Sequence, residues 1–314
     1  MKTPPPLHLA GYQGGTSILT GALTHLARRL DDSSVGTPHL LTDVTAIGQS
    51  AASLFDSVER GERQIGYMAS GYLSARVPEL AVLDLPFSVQ DRAAALAALD
   101  GHAGDLLRDA VARQSGFHVL AFWDNGFRHI SNAVRPLRSP ADCQGLVIRT
   151  LDSELYRQSL GALGFKAITT DVKELVRVVQ DGTVQAQENP LTNLLAFDLW
   201  KHHPHVSMSG HFFGVLLLVC PRAWHEQLSM AQRAELQAAV DEATALQRKS
   251  AAAQDDSALL RLRALGVQVL GPEDMDLPAL REATATVRER YLQSLPVELV
   301  QAYLHADAHE PAVP

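Results

Sequence analysis

The chain has 314 residues, 46% of them apolar and 20% charged, with a formal net charge of −8. That length favours two domains over a single core, and that balance excludes disorder for the bulk of the chain. An acidic chain without any lysine or arginine run argues against a nucleic-acid partner, and no apolar run approaches the ~20 residues that span a bilayer.

Lys2 to Pro6 and His305 to Pro314 read as loose tails, and no apolar core follows Lys2 to make a signal peptide. A first strand is expected over Leu7 to Gly11. Ser17 then caps a helix that places Ile18, Ala22, Leu26 and Leu30 on one face. Gly36 lies in the turn behind it. Gly48 to Arg60 repeats the pattern with Ala51, Leu54, Phe55 and Val58, and Gly61 stops it. A short buried strand is expected over Gln64 to Ser70. Ala81 to Phe87 is an apolar segment broken by Pro86. Asp91 caps an alanine-rich helix, Gly116 ends a further one, and Phe117 to Trp123 is a strand. This alternation argues for a largely parallel, helix-covered sheet.

The alternation resumes with strands over Phe127 to Asn132 and Leu146 to Thr150. Asp152 or Ser153 caps a helix to Leu163, and Val172 to Gln180 is a helix ended by Gly182. Thr183 to Gln187 is a strand, Asn189-Pro190 opens the next helix, and His211 to Cys220 is a central strand. Ser229 to Leu265 opens on a capping box, Ser229 with Gln232, and contains no glycine or proline. At ~1.5 Å per residue it reaches ~50 Å, enough to brace two domains. Val267 to Leu270 is a late strand. Leu280 to Leu304 is helical, with a break near Pro296. Cys143 and Cys220 stand in unrelated contexts and read as independent thiols.

Arg149 is the strongest candidate for chemistry. It ends the strand LVIR just before a capped helix. Ligands of open α/β sheets bind outside the carboxyl ends of strands, and helix N–H groups there suit an anion. A guanidinium also matches a carboxylate with a planar fork of donors. The competing reading pairs Arg149 with Asp152 or Glu154. Arg128, in NGFRHISN, is a second cation or an edge-strand surface arginine. Asn189 is a ligand donor or a helix cap, and Glu188 beside it pairs with an arginine. Tyr12, Tyr67, Tyr72, Trp123, Phe212 and Phe213 line a cleft or pack a core.

His202-His203-Pro204-His205 fits no zinc pattern and reads as a solvated loop. Asp84 reads as a turn residue. There is no G-x-S-x-G, P-loop, G-x-G-x-x-G or H-E-x-x-H motif, so no catalytic constellation, metal or cofactor is expected. An enzyme using only arginine, Glu188 and Asp124 is the competing class.

Gly126-Phe127-Arg128, Ser131-Asn132, Arg135-Pro136, Ser139-Pro140-Ala141-Asp142, Gly145, Ile148-Arg149 and Gln187-Glu188-Asn189-Pro190 follow one another in a distinctive order. LAVLDLPFSVQDRAAALAALDG precedes them; His211 and PRAWHEQLSMAQR follow. In this order the chain resembles the DctP-type solute-binding proteins of TRAP transporters over nearly its whole length.

The resemblance implies an α/β fold of the two-domain, type II periplasmic-binding kind, with an interdomain cleft and a long helix spanning both domains. It divides the chain into residues 1–125 with about 212–250, residues 126–211 with about 251–305, and a tail at 306–314. It implies a mostly monomeric periplasmic protein, its export leader removed, that closes on an organic acid and delivers it to a membrane permease. Presentation to a receptor is the variant of that role. By motif, Arg149 is then the main carboxylate clamp, Arg128 a second cationic contact and Asn189 a donor. The family's proline and aromatics around the helix at 172 are replaced by Ala167, Val172 and Val176, and its Asp-Gly by Gln185-Ala186. These departures bear on which acid fits rather than on whether an acid does.

Overall fold

The computed structural model describes residues 5–304. Residues 2–4 and 305–314 of the expected tails lie outside this range, whereas Pro6 opens the first strand. Nine strands join in one sheet: β1 (Pro6–Ala10), β2 (Thr37–Leu41), β3 (Ile65–Ala69), β4 (Phe117–Asn132), β5 (Val147–Thr150), β6 (Lys166–Thr169), β7 (Ala186–Asn189), β8 (His205–Pro221) and β9 (Gln268–Leu270). The order is β2-β1-β3-β8-β4-β7-β5-β6, with β9 against β8. The strands β2, β1 and β3 are parallel at one end, and β5 is parallel to β6 and β7 at the other. The antiparallel pair β4 and β8 runs through both halves.

That pair corrects the expected strand boundaries. Phe117 to Trp123 and Phe127 to Asn132 are one strand of 16 residues. The polar stretch Asp124-Asn125-Gly126 is a bulge in it, with register shifts against β8 between Asp124 and Gly126. Gly126 takes φ +83° there and its N–H donates to Asp124 Oδ1 at 2.7 Å. Only glycine adopts that backbone at little cost. Likewise β8 starts at His205, not His211. The expected solvated histidine loop is therefore partly strand, and His203 is buried against Ser131 Oγ at 3.0 Å. The short strands β2 and β6 were not anticipated, and Pro78–Asp84 is a 3-10 helix.

Helices cover both faces, as a parallel arrangement requires. One large core lies under the first half of the sheet and includes Leu9, Leu23, Leu54, Tyr67 and Leu217. A second, around Ile130, Ile148, Leu160 and Phe165, lies under the other half. Cys143 and Cys220 are both buried and free. The helix Met230–Ala264 has 35 residues, and the Ser229–Gln232 capping box is present. Its first turns meet the first half through Gln232 Nε2, which donates to Ser34 O at 2.8 Å. Ala258 and Leu262 near its end pack with Leu191, Leu194 and Val206 of the second half. In the middle, Gln247 accepts from Asp124 N at 2.8 Å and donates to Asp124 O at 2.6 Å. The helix thus braces both halves and is pinned to β4 beside its bulge. No helix among the described residues is long and apolar enough to cross a membrane.

Candidate functional site

The carboxyl end of β5 carries Arg149, 2% exposed. Its Nε donates to Thr170 Oγ1 at 3.1 Å and its Nη2 to Thr170 O at 2.5 Å, just beyond the end of β6. The acids near it in sequence are engaged elsewhere or outside: Glu154 pairs with Arg157, and Asp152 is exposed. Among the described residues Arg149 makes no ion pair. Burial lowers its pKa, opposed by Tyr72 and Glu188, yet a guanidinium stays charged at neutral pH. A buried cation without a carboxylate is costly unless a partner arrives.

Arg128, 3% exposed on β4, is the opposite case. Glu188 on β7 grips its Nε and Nη2, the latter at 3.0 Å, and the Glu188 carbonyl takes Nη2 at 2.9 Å. The antiparallel pairing of β4 with β7 brings these residues together. Burial alone would lower the Arg128 pKa; the Glu188 carboxylate outweighs it and raises it. Thr150 Oγ1 donates to Glu188 Oε1 at 2.7 Å. His211 Nε2 lies 3.8 Å from Glu188 Oε2 with no hydrogen bond, while Ser209 Oγ holds Nδ1 at 2.7 Å. Burial, then Arg128, pushes His211 down to about 3, so it is neutral.

Asn189 does not cap the helix that follows; Pro190 takes that position for Leu191–Ala196. The Asn189 amide instead donates to Gln187 Oε1 at 2.5 Å, and its Oδ1 accepts from Arg128 Nη2 at 3.3 Å and Asn193 Nδ2 at 3.1 Å. Gln187 is in turn held by Ser131 Oγ at 2.6 Å.

Beneath Arg128 lies a group that sequence reasoning missed. The Arg128 guanidinium stands 5.6 Å over the Tyr156 ring, and Tyr156 packs 4.1 Å from Phe212. The Tyr156 hydroxyl donates to Asp84 Oδ1 at 2.9 Å, and Ser70 Oγ donates to the same carboxyl at 2.9 Å. Asp84 is therefore not a turn residue at the surface; it is 1% exposed. Burial pushes its pKa up to about 7, and the hydrogen bonds of Tyr156 and Ser70 hold it back only in part. A raised carboxyl pKa contributes stability that is present below the unfolded value, about 4, and is lost as the pH climbs through 7. The melting temperature of the wild type relative to Asp84→Asn should accordingly fall between pH 4 and pH 8. The loss is on the order of 1–4 kcal/mol at one carboxyl. A difference that does not vary with pH would show that Asp84 is not this buried acid.

The aromatic candidates divide. Tyr72 stacks 5.2 Å from Phe55, and Tyr12 lies 5.9 Å from Phe55 and 4.9 Å from Tyr67. Burial raises the pKa of the Tyr72 hydroxyl, which the charge of Arg149 and a hydrogen bond to it oppose, so Tyr72 stands beside Arg149. Trp123 stands apart. It is fully buried, packs 6.0 Å from Tyr67 and donates its indole N–H to Thr244 of the long helix at 3.0 Å.

Two further contacts join the halves of the sheet over the arginines. Asp171 caps the helix Val172–Gln180 through Lys173 N at 3.0 Å, and also accepts from Ala51 N, the start of the helix Ala51–Glu59, at 3.1 Å. Gly71 faces Leu151, Ser153 and Tyr156 so closely that an added Cβ would lie 2.7 Å from Leu151 Cδ1. Arg149 and Arg128 are buried because the halves meet here. A cavity of about 730 Å³ lies elsewhere, lined by Thr16, Thr192, Gln254, Ser257 and Arg261 among others, and it touches neither arginine. No group of three or more histidine, cysteine, aspartate or glutamate side chains among the described residues is arranged to hold a metal.

Of the missed residues, Asp84, Thr150, Tyr156 and Thr170 carry no local motif, and Asp171 carries only that of a helix cap. They reach the site through pairings such as Tyr156 with Asp84, 72 residues apart.

Residues 10–294 match the family model described as "Bacterial extracellular solute-binding protein, family 7". The 2,3-diketo-L-gulonate-binding periplasmic protein YiaO of Escherichia coli is 29% identical over 248 residues, 79% of this chain and 75% of that protein. The C4-dicarboxylate-binding periplasmic protein DctP of Rhodobacter capsulatus is 30% identical over 191 residues, 60% of this chain and 56% of that protein. The solved structure of the sugar acid binding protein DctPAm of Advenella mimigardefordensis, in complex with galactonate, superposes with a TM-score of 0.90 at 25% identity, covering 98% of this chain and 99% of that one. The architecture is the two-domain periplasmic-binding fold that such structures share. The chain belongs to the DctP family, the family 7 bacterial extracellular solute-binding proteins.

Proposed function

We propose that this chain binds a small organic acid between its two domains in the periplasm and delivers it, chemically unchanged, to a TRAP-type membrane permease. The expected bodies are residues 1–125 with about 212–250 and residues 126–211 with about 251–305, but Val287, Leu295, Leu299 and Tyr303 pack in the core of the first half. The observation that carries the reading is Arg149: charged, 2% exposed and unpaired among the described residues. A carboxylate supplies what it lacks, by a bidentate contact that is stronger when desolvated. Tyr72 and Asn189 stand ready as neutral polar contacts, and Arg128 with Glu188 forms a rigid support behind them. Contacts from both halves meet over the arginines, so a ligand there touches both bodies only when they are together, and thereby shifts the open–closed balance. The family and the organic-acid names of its relatives support the same reading.

The test is a thermal-shift screen with C4-dicarboxylates, 2-keto and 2-hydroxy acids, sugar acids, sialic acid, aromatic acids and amino acids. A ligand that binds only the native state adds ~4 kcal/mol of stability at a thousandfold excess over Kd. One acid should give a clear shift and be recovered unaltered after incubation. Silence across the panel, with mass spectrometry finding no acid already bound, would refute the reading.

A further inference from the structure

Charge in this site is sparse and almost fully paired. Of the lysines and arginines among the described residues, only Arg128 and Arg149 are buried. Glu188 neutralises Arg128 through two of its donors. One uncompensated positive charge is left, on Arg149. Apart from the paired Arg128, the charged groups close to it are acids. Asp84 lies beneath Arg128 through Tyr156. Asp171 follows Thr170, the residue that holds the Arg149 guanidinium by side chain and carbonyl. The Asp171 carboxylate is fixed at that point by two backbone N–H groups, those of Ala51 and Lys173. The remaining polar groups nearby are neutral: the Tyr72 hydroxyl, Asn189, and two buried atoms without hydrogen-bond partners among the described residues, Ser153 Oγ and His211 Nε2.

A buried charge is tolerated only where an opposite charge meets it. One carboxylate on a ligand matches Arg149. A second would be buried without a cation and would approach Asp171 or Glu188. A hydroxyl in its place can instead satisfy the neutral donors and acceptors. We infer that the cleft selects an acid with one carboxylate and an uncharged, hydroxylated remainder over the dicarboxylate of the same length. This rests on the organic-acid reading above and sharpens it. Relationship alone does not decide the matter, because the relatives' names include both a keto sugar acid and C4-dicarboxylates.

The test uses matched pairs that differ only in oxidation of the terminal CH2OH to a carboxylate: D-erythronate with meso-tartrate, and D-gluconate with D-glucarate. Calorimetric titration at pH 7.5 should find the monoacid of a pair bound at least ~tenfold more tightly, the scale of one uncompensated charge in a partly desolvated site. If the screened ligand falls outside these pairs, the same comparison is made between it and its counterpart with one carboxylate more or fewer. A diacid that binds as tightly as its monoacid, or more tightly, overturns the inference while leaving the organic-acid reading intact. Binding of no acid at all refutes that reading instead, and the inference with it. Asp171→Asn keeps an acceptor oxygen for Lys173 N and removes the charge. It should narrow the gap by severalfold, chiefly by improving the diacid. A gap of unchanged size would overturn the electrostatic account.

Discussion

Arg149→Ala should weaken binding of the acid by ~30- to several-thousandfold, which corresponds to about 2–5 kcal/mol. The range is that of removing one side of a buried, hydrogen-bonded charge pair. It belongs to this residue because no carboxylate among the described residues shares its load. The same fact makes an unusual accompanying expectation. Without ligand, Arg149 is a buried cation held by Thr170 and the Tyr72 hydroxyl, with no carboxylate paired to it. Removing it should leave the stability of the free protein unchanged or raise it, while the ligand-induced thermal shift disappears. Arg149→Lys should fall between the two, since an ammonium keeps the charge and loses the fork. Calorimetry on the variants beside thermal melts without ligand separates these effects. An Arg149→Ala protein with wild-type affinity would remove Arg149 from the site.

Glu188→Ala should act in the reverse way, on the fold before the ligand. It leaves Arg128 buried and unpaired, deprives Thr150 Oγ1 of its acceptor, and should cost ~3–5 kcal/mol of stability. Replacing both partners, Arg128→Met with Glu188→Leu, should recover much of that loss, because the penalty comes from the stranded charge and not from the missing bond. Urea denaturation followed by tryptophan fluorescence and by circular dichroism gives the midpoints. If the single variant is as stable as the wild type, the pair is not a desolvated one. If the double variant is no better than the single, packing rather than charge is the cause.

The two cases show what was legible in the sequence. Arg149 could be found because strand LVIR, its end and a following cap are all local signals, and because nearby acids could be weighed against it. The long helix was equally plain: its capping box and its lack of glycine and proline needed no partner to be read. By contrast, β4 looked like two strands because Asp124, Asn125 and Gly126 carry the marks of a turn. They are instead a bulge in which the Asp124 backbone N–H and carbonyl are satisfied by Gln247, more than a hundred residues away. His203 was read as solvent-facing, and Asp84 as a turn residue, for the same reason. A polar side chain signals exposure until its partner is known, and the partners Tyr156, Ser70 and Ser131 lie far along the chain. The role of Asn189 was ambiguous locally, since Asn-Pro is also the grammar of a helix start. Trp123 shows the complementary difficulty. Aromatic residues near a cleft and in a core look alike, and only its bond to Thr244 separates them.

The pinning of Gln247 to both backbone groups of Asp124 has a mechanical consequence. It sits near the middle of a rod ~50 Å long, so a rotation of the rod about that point would move its two tips most. Each degree of rotation about that point carries either tip through about half an ångström. Residues at that point would hardly travel in such a rotation, so the two bonds of the buried glutamine would be kept. The tips travel furthest. A few degrees of bending at the Gly126 bulge becomes, at the outer surface, a displacement comparable to an atomic radius.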